Sequence, residues 1–456
     1  MSRAIDVIEP LEPGHLRIYC CGPTVYDFAH IGNLRKYVCD DILVRTLRHA
    51  GLNVTHVMNV TDVDDKIINA APGGLDAIRE YTAPYTKAFF EDLATLRIQD
   101  PDVVCAATEH VDQMVDMVQK LIDRGHAYQS DGSYYFRIAS FPEYGRLARI
   151  DTAGMRAGAR VEVDEYSKDD VRDFALWKAH KEGEVAWDTS LGRGRPGWHI
   201  ECSAMSMHYL GESFDMHTGG VDNAFPHHEN EIAQAEGATG KPFVKYWIHH
   251  EHLLMDSQKM AKSLGNTFTL RDLLDRGLDP VGLRYLLASA HNRTQLNFTN
   301  EAVEQATQTV KGLHDFMRRL ADAKAEEGEP SDLAEEAGEA RKAFFEAMYN
   351  DLQTPQALAA MFDLVKAANI ALQHKTCTSG DIEAVRDAML EFDQILNVLD
   401  AGEEEILDEE IERMIREREE ARERRDWQKA DELRDVLEDQ GVLLEDTADG
   451  TRWKRA

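Results

Sequence analysis

Apolar and polar positions alternate in two rhythms over the first sixty residues. Leu16 to Cys20 is a short apolar run closed by Gly22-Pro23, which predicts a strand. From Leu34 to His49 the apolar residues Val38, Ile42, Leu43 and Leu47 recur at helical spacing, and Gly51 stops the helix. Val54 to Val60 then predicts a second strand. A strand, loop, helix and strand in that order predict the start of a doubly wound parallel α/β sheet. Its chemistry is expected on the loops at the carboxyl ends of the strands.

Further along, residues 76–125 read as helices. Tyr134 to Ile138 and Arg160 to Val163 read as short strands in a stretch rich in Gly and Asp. Residues 120–195 are therefore expected to be an insertion, with α/β character resuming from Gly197 to Gln258. Helices dominate from Leu270. Glu326 to Ala340 is acidic and poor in apolar residues, with Gly328 and Pro330, and reads as a linker. Phe344 to Asp400 predicts two or three bundle helices, Glu403 to Gln440 a long charged helix, and Gly441 to Trp453 a small strand unit turning at Asp449-Gly450. The expected divisions are 1–269 for the α/β domain, 270–325 for a helical region, 326–402 for linker and bundle, and 403–456 for a small C-terminal α+β unit.

The chain has 456 residues, too long for one core. No apolar run is long enough to cross a membrane, and the N-terminal stretch lacks the apolar segment of a signal peptide, so a cytoplasmic address is expected. Six cysteines, at 20, 21, 39, 105, 202 and 377, form no regular framework; they read as core thiols or metal ligands. The net charge of −32 argues on its face against a polyanionic partner, because phosphate binding needs local cations. The alternative is an acidic outer surface of halophilic type, suited to high salt, where the Debye length falls to a few ångströms.

Two motifs point to phosphate handling. His30-Ile31-Gly32-Asn33 lies between the first strand and first helix, where small residues admit a nucleotide and a helix N-terminus favours anions. His30 and Asn33 can donate to phosphate oxygens; the bland reading is an ordinary turn. Lys259-Met260-Ala261-Lys262-Ser263, followed by Leu264-Gly265-Asn266, is a cationic loop able to stabilise charge on a transferring phosphate, or simply a solvated basic loop. In order and context the pair resembles the HIGH and KMSKS signatures of class I aminoacyl-tRNA synthetases. Asn33 replaces the second His and Ala261 the first Ser, while both lysines remain.

His227 and Glu231, after Pro226, stand four apart and so share one helix face. The run is not HExxH, which removes a zinc-protease reading. His228, Glu229 and Asn230 are expected to face elsewhere and to orient the ligands. Spacing alone does not join this pair to Cys21 or Cys202; on spacing alone, core cysteines beside a surface His/Glu pair are the better explanation.

Cys21 to Asp27, Asn59 to Ile67, Gly197 to Met205 and Phe225 to Glu231 are similar to the motifs of cysteinyl-tRNA synthetases, as are Gly158-Ala159-Arg160-Val161 and Asp173 to Lys178. The resemblance implies a class I Rossmann-like catalytic domain with a connective insertion, a stem-contact region and a C-terminal anticodon-binding unit. It implies one zinc per chain on Cys21, Cys202, His227 and Glu231, with Cys20 as the adjacent alternative to Cys21. Gly22, Thr61, Trp198 and His217 match positions around the bound cysteine. His217-Thr218-Gly219-Gly220 departs from the family's His followed by three glycines. His30, Gly32, Asn33, Asp222, Lys259, Lys262 and Ser263 match the ATP site, with His30, Asn33, Lys259 and Lys262 in the catalytic role and Mg²⁺ accompanying ATP. Trp198 as packing and Asp222 as a turn residue are the plain alternatives.

The implied partners are tRNA(Cys), L-cysteine and ATP, with a monomer expected. Arg422, Arg424, Arg425 and Trp427, and above all the basic and aromatic Arg452-Trp453-Lys454-Arg455, suit RNA contact. Rival readings are the related ligase joining cysteine to an amino sugar in mycothiol synthesis, a non-catalytic tRNA-binding paralogue and a structural zinc protein.

Overall fold

The computed structural model describes residues 5–150, 172–260, 266–323, 328 and 331–399. Beyond these it describes 413–418, 421, 424, 426, 429, 430, 433, 434, 436, 437, 442–447 and 450–455. Two compact units divide at residue 398.

The first unit opens with β1 (His15–Cys20), α1 (Ile31–His49) and β2 (Asn53–Val60). After α2 (Asp65–Ala70) and α3 (Leu75–Thr95) comes β3 (Val103–Ala106), then α4 (Val111–Asp123). Residues 76–125 are thus not all helical as expected. β3 is four residues long, too short to show alternation, and gains its place by parallel pairing with β2. The insertion is a five-stranded antiparallel sheet of β4 (Ala127–Ser130), β5 (Ser133–Phe136), β6 (Phe174–Ala179), β7 (Trp187–Thr189) and β8 (Gly192–Pro196), in the order β4-β5-β6-β8-β7. The strand expected at Tyr134 to Ile138 ends at Phe136; Arg160 to Val163 lies outside the described residues.

The parallel sheet resumes through α5 (Trp198–Leu210), β9 (Phe214–Gly220), α6 (His227–Thr239) and β10 (Val244–His250). Its order is β10-β9-β1-β2-β3, all pairs parallel. The chain leaves β1 toward β2 on one side and returns through β9 on the other. The crevice beyond the carboxyl ends of β1 and β9 is therefore the topological switch point, where such sheets bind ligands. Tyr19, Val57, Met114, Leu176, Met205, Phe214 and Ile232 fill the core beneath it.

β11 (Leu253–Met255) and β12 (Gln258–Lys259) form a hairpin, and β13 (Leu296–Phe298), a strand within a region expected to be helical, adds to it in parallel with β11. Between them lie α7 (Leu270–Leu274) and α8 (Pro280–Ser289), and α9 (Asn300–Ala321) follows. The bundle comprises α10 (Asp332–Tyr349), α11 (Thr354–His374) and α12 (Ser379–Leu396), with Phe344 stacked on Phe392 at 4.3 Å. α10 starts inside the stretch read as linker: Leu333, Ala337 and Phe344 bury one stripe while the acids face outward, so the low mean hydropathy conceals an amphipathic helix. Two wholly buried guanidinium groups hold the layers together. Arg35 donates to the carbonyls of Glu251, His252, His291 and Thr294, and Arg284 to those of Leu96, Arg97 and Leu396 and to Asp41.

In the second unit β14 (Val442–Thr447) and β15 (Gly450–Arg455) form an antiparallel hairpin with Thr447 opposite Gly450. Met414, Ile415 and Leu437 make a small apolar cluster.

Candidate active site

A cleft of about 520 Å³ opens at the switch point. Cys21, Gly22, His30, Gly32, Asn33, Thr61, Trp198, Cys202, Asp222 and His227 all line it, so ten of the residues singled out in the sequence meet in one cavity. His217 and Glu231 sit fully buried behind its wall.

One end is the N-terminus of α1. His30 is its N-cap: the Asn33 backbone N–H donates to His30 Nδ1 at 3.2 Å, and the His30 N–H donates to Asn33 Oδ1 at 3.3 Å. With Nδ1 accepting, the ring proton belongs on Nε2, and the donors of Asn33 are those of its amide nitrogen. Both side chains therefore offer donors where backbone N–H groups already favour an anion. Gly32 sits in a tight place: a Cβ there would come within 3.1 Å of both the His30 ring and Met260 Sδ, and those side chains would have to shift. Lys259 ends β12, and Met260 lines the cleft; Ala261 to Gly265, and with them Lys262 and Ser263, lie outside the described residues.

The other end is a cluster of metal-ligand type. One donor atom from each of Cys21, Cys202, His227 and Glu231 lies within 4.8 Å of the others, all buried. Cys21 stands one residue past β1, Cys202 on α5, and His227 and Glu231 on one face of α6. Pro226 occupies the N-cap and His227 the first helical position. The two sulfurs are 3.9 Å apart and both thiols are free. His227 Nε2 is 3.2 Å from Glu231 Oε1, a buried oxygen that accepts no hydrogen bond among the described residues. Two unlinked thiols, an imidazole and an unsatisfied carboxylate oxygen in one buried spot fit a zinc ion. Cys20 points away from this set, to Asp40 Oδ2 at 3.0 Å.

The cluster is oriented from behind. His217 Nε2 holds Glu231 Oε2 at 2.9 Å, and His199 Nδ1 meets His227 Nδ1 at 2.9 Å, leaving Nε2 of His227 toward the cluster. His228 does not face elsewhere as expected. Its Nε2 lies 3.5 Å from Cys21 Sγ and its Nδ1 2.8 Å from His249, so Cys21, His217, His228 and Glu231 form a second overlapping set. Burial pushes His199, His227 and His249 down to about 3, and His228 well below its ordinary value, so these rings are neutral near pH 7, the form in which imidazole binds metal. The Cys202 thiol is pushed up by its hydrogen bond with Cys21 and by burial. Glu229 instead accepts from the N–H groups of Gly145, Leu147 and Ala148 in the insertion.

Between the ends, Thr61 Oγ1 accepts from Asn59 Nδ2 and donates to Glu201 Oε2, each at 3.1 Å. Burial, then the nearby Asp62, raises the Glu201 carboxyl well above its usual range. Trp198 is 43% exposed and stacks on His227 at 4.5 Å, so it is part of the cleft wall and not core packing. In the second unit Arg452, Trp453 and Lys454 lie on β15, Arg424 is described, and Arg422, Arg425 and Trp427 lie outside the described residues.

The class I (C) tRNA synthetase catalytic domain family matches residues 7–308, the DALR domain matches 343–400, and the cysteinyl-tRNA ligase anticodon binding domain matches 405–453. The chain is 48% identical to a cysteine-tRNA ligase of Solibacter usitatus, over 100% of this chain and 98% of the relative. It is 46% identical to that of Koribacter versatilis with the same coverages. Among solved structures, Mycobacterium tuberculosis methionyl-tRNA synthetase in complex with methionyl-adenylate matches with a TM-score of 0.62 at 14% identity, over 84% of this chain and 90% of the other. At that identity the likeness speaks for the fold alone.

Proposed function

This chain belongs to the class I cysteine-tRNA ligase family, and from that premise we infer how its residues divide the work of charging tRNA(Cys). The overall reaction is that of the family. Cysteine is activated with ATP to cysteinyl-adenylate and pyrophosphate, and the cysteinyl group then passes to the 3′-terminal ribose of the tRNA as AMP leaves.

The observation that carries the division of labour is the meeting of a thiol-rich cluster and a capped helix N-terminus on one cleft. Cys21, Cys202, His227 and Glu231 would hold one zinc ion. When bound, it supplies a soft Lewis acid that takes the substrate sulfur as thiolate, a ligand that a serine hydroxyl matches poorly. Trp198 and Thr61 wall the amino acid, with the backbone of Gly22 beside them, and His217 acts by holding Glu231. His30 and Asn33 donate to the phosphates of ATP as the substrate carboxylate attacks the α-phosphorus, and Lys259 and Lys262 spread the charge that develops there. Gly32 and Ser263 complete the phosphate site, Asp222 meets the ribose, and Mg²⁺ accompanies the ATP. No side chain forms a covalent bond to the substrate in either step.

Residues 1–269 carry activation, 270–325 contact the acceptor stem, and 403–456 read the anticodon through Arg452, Trp453, Lys454 and Trp427, with 326–402 between them. The working form is a cytoplasmic monomer. Its acidic surface calls for assay at raised salt. The test is ATP–pyrophosphate exchange: cysteine stimulates it, serine does not, and Lys259→Ala abolishes it. Exchange with cysteine but no charging of tRNA would favour the amino-sugar ligase reading; the match to an anticodon domain argues against that.

A further inference from the structure

An ammonium group is buried in the floor of the cleft, one turn beyond Asn33 on α1. The Lys36 side chain is 11% exposed and lines the cavity. Its Nζ donates to the backbone carbonyl of Cys21, meets Asp40 Oδ2 at 3.1 Å and lies 2.6 Å from Cys20 Sγ. Asp40 is held in turn: Cys20 Sγ donates to its Oδ2, and His250 Nε2 lies 2.9 Å from its Oδ1. His250 ends β10, so the network ties α1, the end of β1 and the end of β10 together.

An exposed i, i+4 Lys/Asp pair stabilises a helix only slightly. A pair this deep is a different matter, since each ion is costly to desolvate and needs good partners. The partner that matters is the Cys21 carbonyl. Cys21 follows the last residue of β1, so its carbonyl has left the strand ladder. The next amide, Gly22 N–H, donates to Asn59 Oδ1 at 2.8 Å. The peptide plane that follows Cys21 is thus held at both ends, the oxygen by Lys36 and the nitrogen by Asn59. A Cβ at Gly22 would lie 1.5 Å from the Asn59 carbonyl oxygen, so only glycine allows this close approach of the two backbones. That plane sets the direction of the Cys21 side chain, whose sulfur faces Cys202 and His228.

We propose that Lys36 is a positioning residue for the thiol end of the site: by holding the Cys21 carbonyl, with Asp40 as its counter-charge, it fixes where the Cys21 sulfur points. The proposal rests on the reading of Cys21 as a zinc ligand. It differs from a helix-stabilising role in what it moves, namely metal retention and cysteine binding, with ATP binding left alone.

The test compares the full-length parent with Lys36→Met, Lys36→Arg and Asp40→Asn, each loaded with Zn²⁺ or Co²⁺. Zinc release to a chelator, the visible d–d absorption of the cobalt forms, and the KM values for cysteine and ATP in pyrophosphate exchange are the readouts. Lys36→Met is expected to release zinc about 10-fold faster, as loss of an outer partner of a metal ligand does. Its cobalt spectrum changes and its KM for cysteine rises by a similar factor, while that for ATP stays within about twofold. Lys36→Arg, which keeps a donor, recovers most of the retention, and Asp40→Asn falls between. Should Lys36→Met not fold, the order parent, Lys36→Arg, Asp40→Asn in release rate carries the same information. Parental release rates and cobalt spectra in the variants would overturn the proposal, even with lowered thermal stability. A parent that neither retains zinc nor exchanges with cysteine would overturn the zinc reading itself.

Discussion

Replacing Arg284 by methionine removes a cation from the seam between α1, the end of α3 and α12. The guanidinium is fully buried, with Nε donating to Leu396 O at 2.7 Å, Nη1 to Leu96 O at 2.9 Å and Arg97 O at 3.1 Å, and Nη2 to Asp41 Oδ2 at 2.6 Å. Methionine fills much of the volume and restores none of these bonds. The loss is uneven. Asp41 keeps Arg45 Nε at 2.8 Å and the Gln99 N–H at 3.0 Å, and Arg97 O keeps Arg45 Nη2 and Asn397 Nδ2. Leu96 O and Leu396 O lose their side-chain donor. Two buried carbonyls deprived of a donor cost about 1–3 kcal/mol each. Breaking a buried ion pair costs about 3–5 kcal/mol, here reduced because Asp41 retains partners. The expected destabilisation of the first unit is about 4 kcal/mol, read as a shift of the urea midpoint by far-ultraviolet circular dichroism. Arg293→Met is the control: its pairing with Asp351 is half exposed at the arginine and is worth under about 1 kcal/mol. A loss below about 1 kcal/mol for Arg284→Met, or an equal loss for both variants, would refute the assignment of Arg284 as the fastening of this seam.

Other consequences follow from the same geometry. Gly22→Ala places a Cβ on the Asn59 carbonyl; cysteine-dependent exchange should fall at least about 100-fold, and near-parental kinetics would contradict the close approach described. Burial alone would raise the Asp381 carboxyl, but the N–H groups of Thr378 and Ser331 and the Ser331 hydroxyl outweigh it and hold it down to about 2. Its stabilisation, about 2 kcal/mol, is present above the unfolded value near pH 4 and is lost as pH falls toward 2. Asp381→Asn should flatten that part of the acid-unfolding curve, and an unchanged curve would deny the role. Removal of metal by a chelator should abolish cysteine binding and leave ATP binding within about twofold, measured by calorimetry; equal loss of both would place the metal elsewhere.

Much of this was legible where local chemistry is periodic or self-contained. The apolar rhythm of residues 16–60 marks β1, α1 and β2, and His30-Ile31-Gly32-Asn33 is a helix start whose side chains cap one another, a local motif. β3 and β13 are not legible, because three or four residues carry no period and their strand state comes from pairing with distant chain. The start of α10 hides beneath its acids. Helical geometry alone misplaces His228. One residue from His227 on α6 it should diverge, yet at the first turn of α6 both rings border the end of β1, and His228 reaches Cys21 beside His227. Lys36 and Asp40 carry an i, i+4 signal on an otherwise apolar helix face, which could have been noticed. Their relation to Cys21 exists only once β1 and α1 are packed.

Selection of cysteine through the metal is measured by charging total tRNA with labelled cysteine or serine, using the zinc-loaded chain beside Cys202→Ser. The parent should attach cysteine and reject serine by a factor beyond the roughly 10²-fold that shape alone gives for groups of this size. Cys202→Ser should lose both zinc and that discrimination. Equal attachment of serine by the parent, or full discrimination by a zinc-free Cys202→Ser, would contradict selection through the metal.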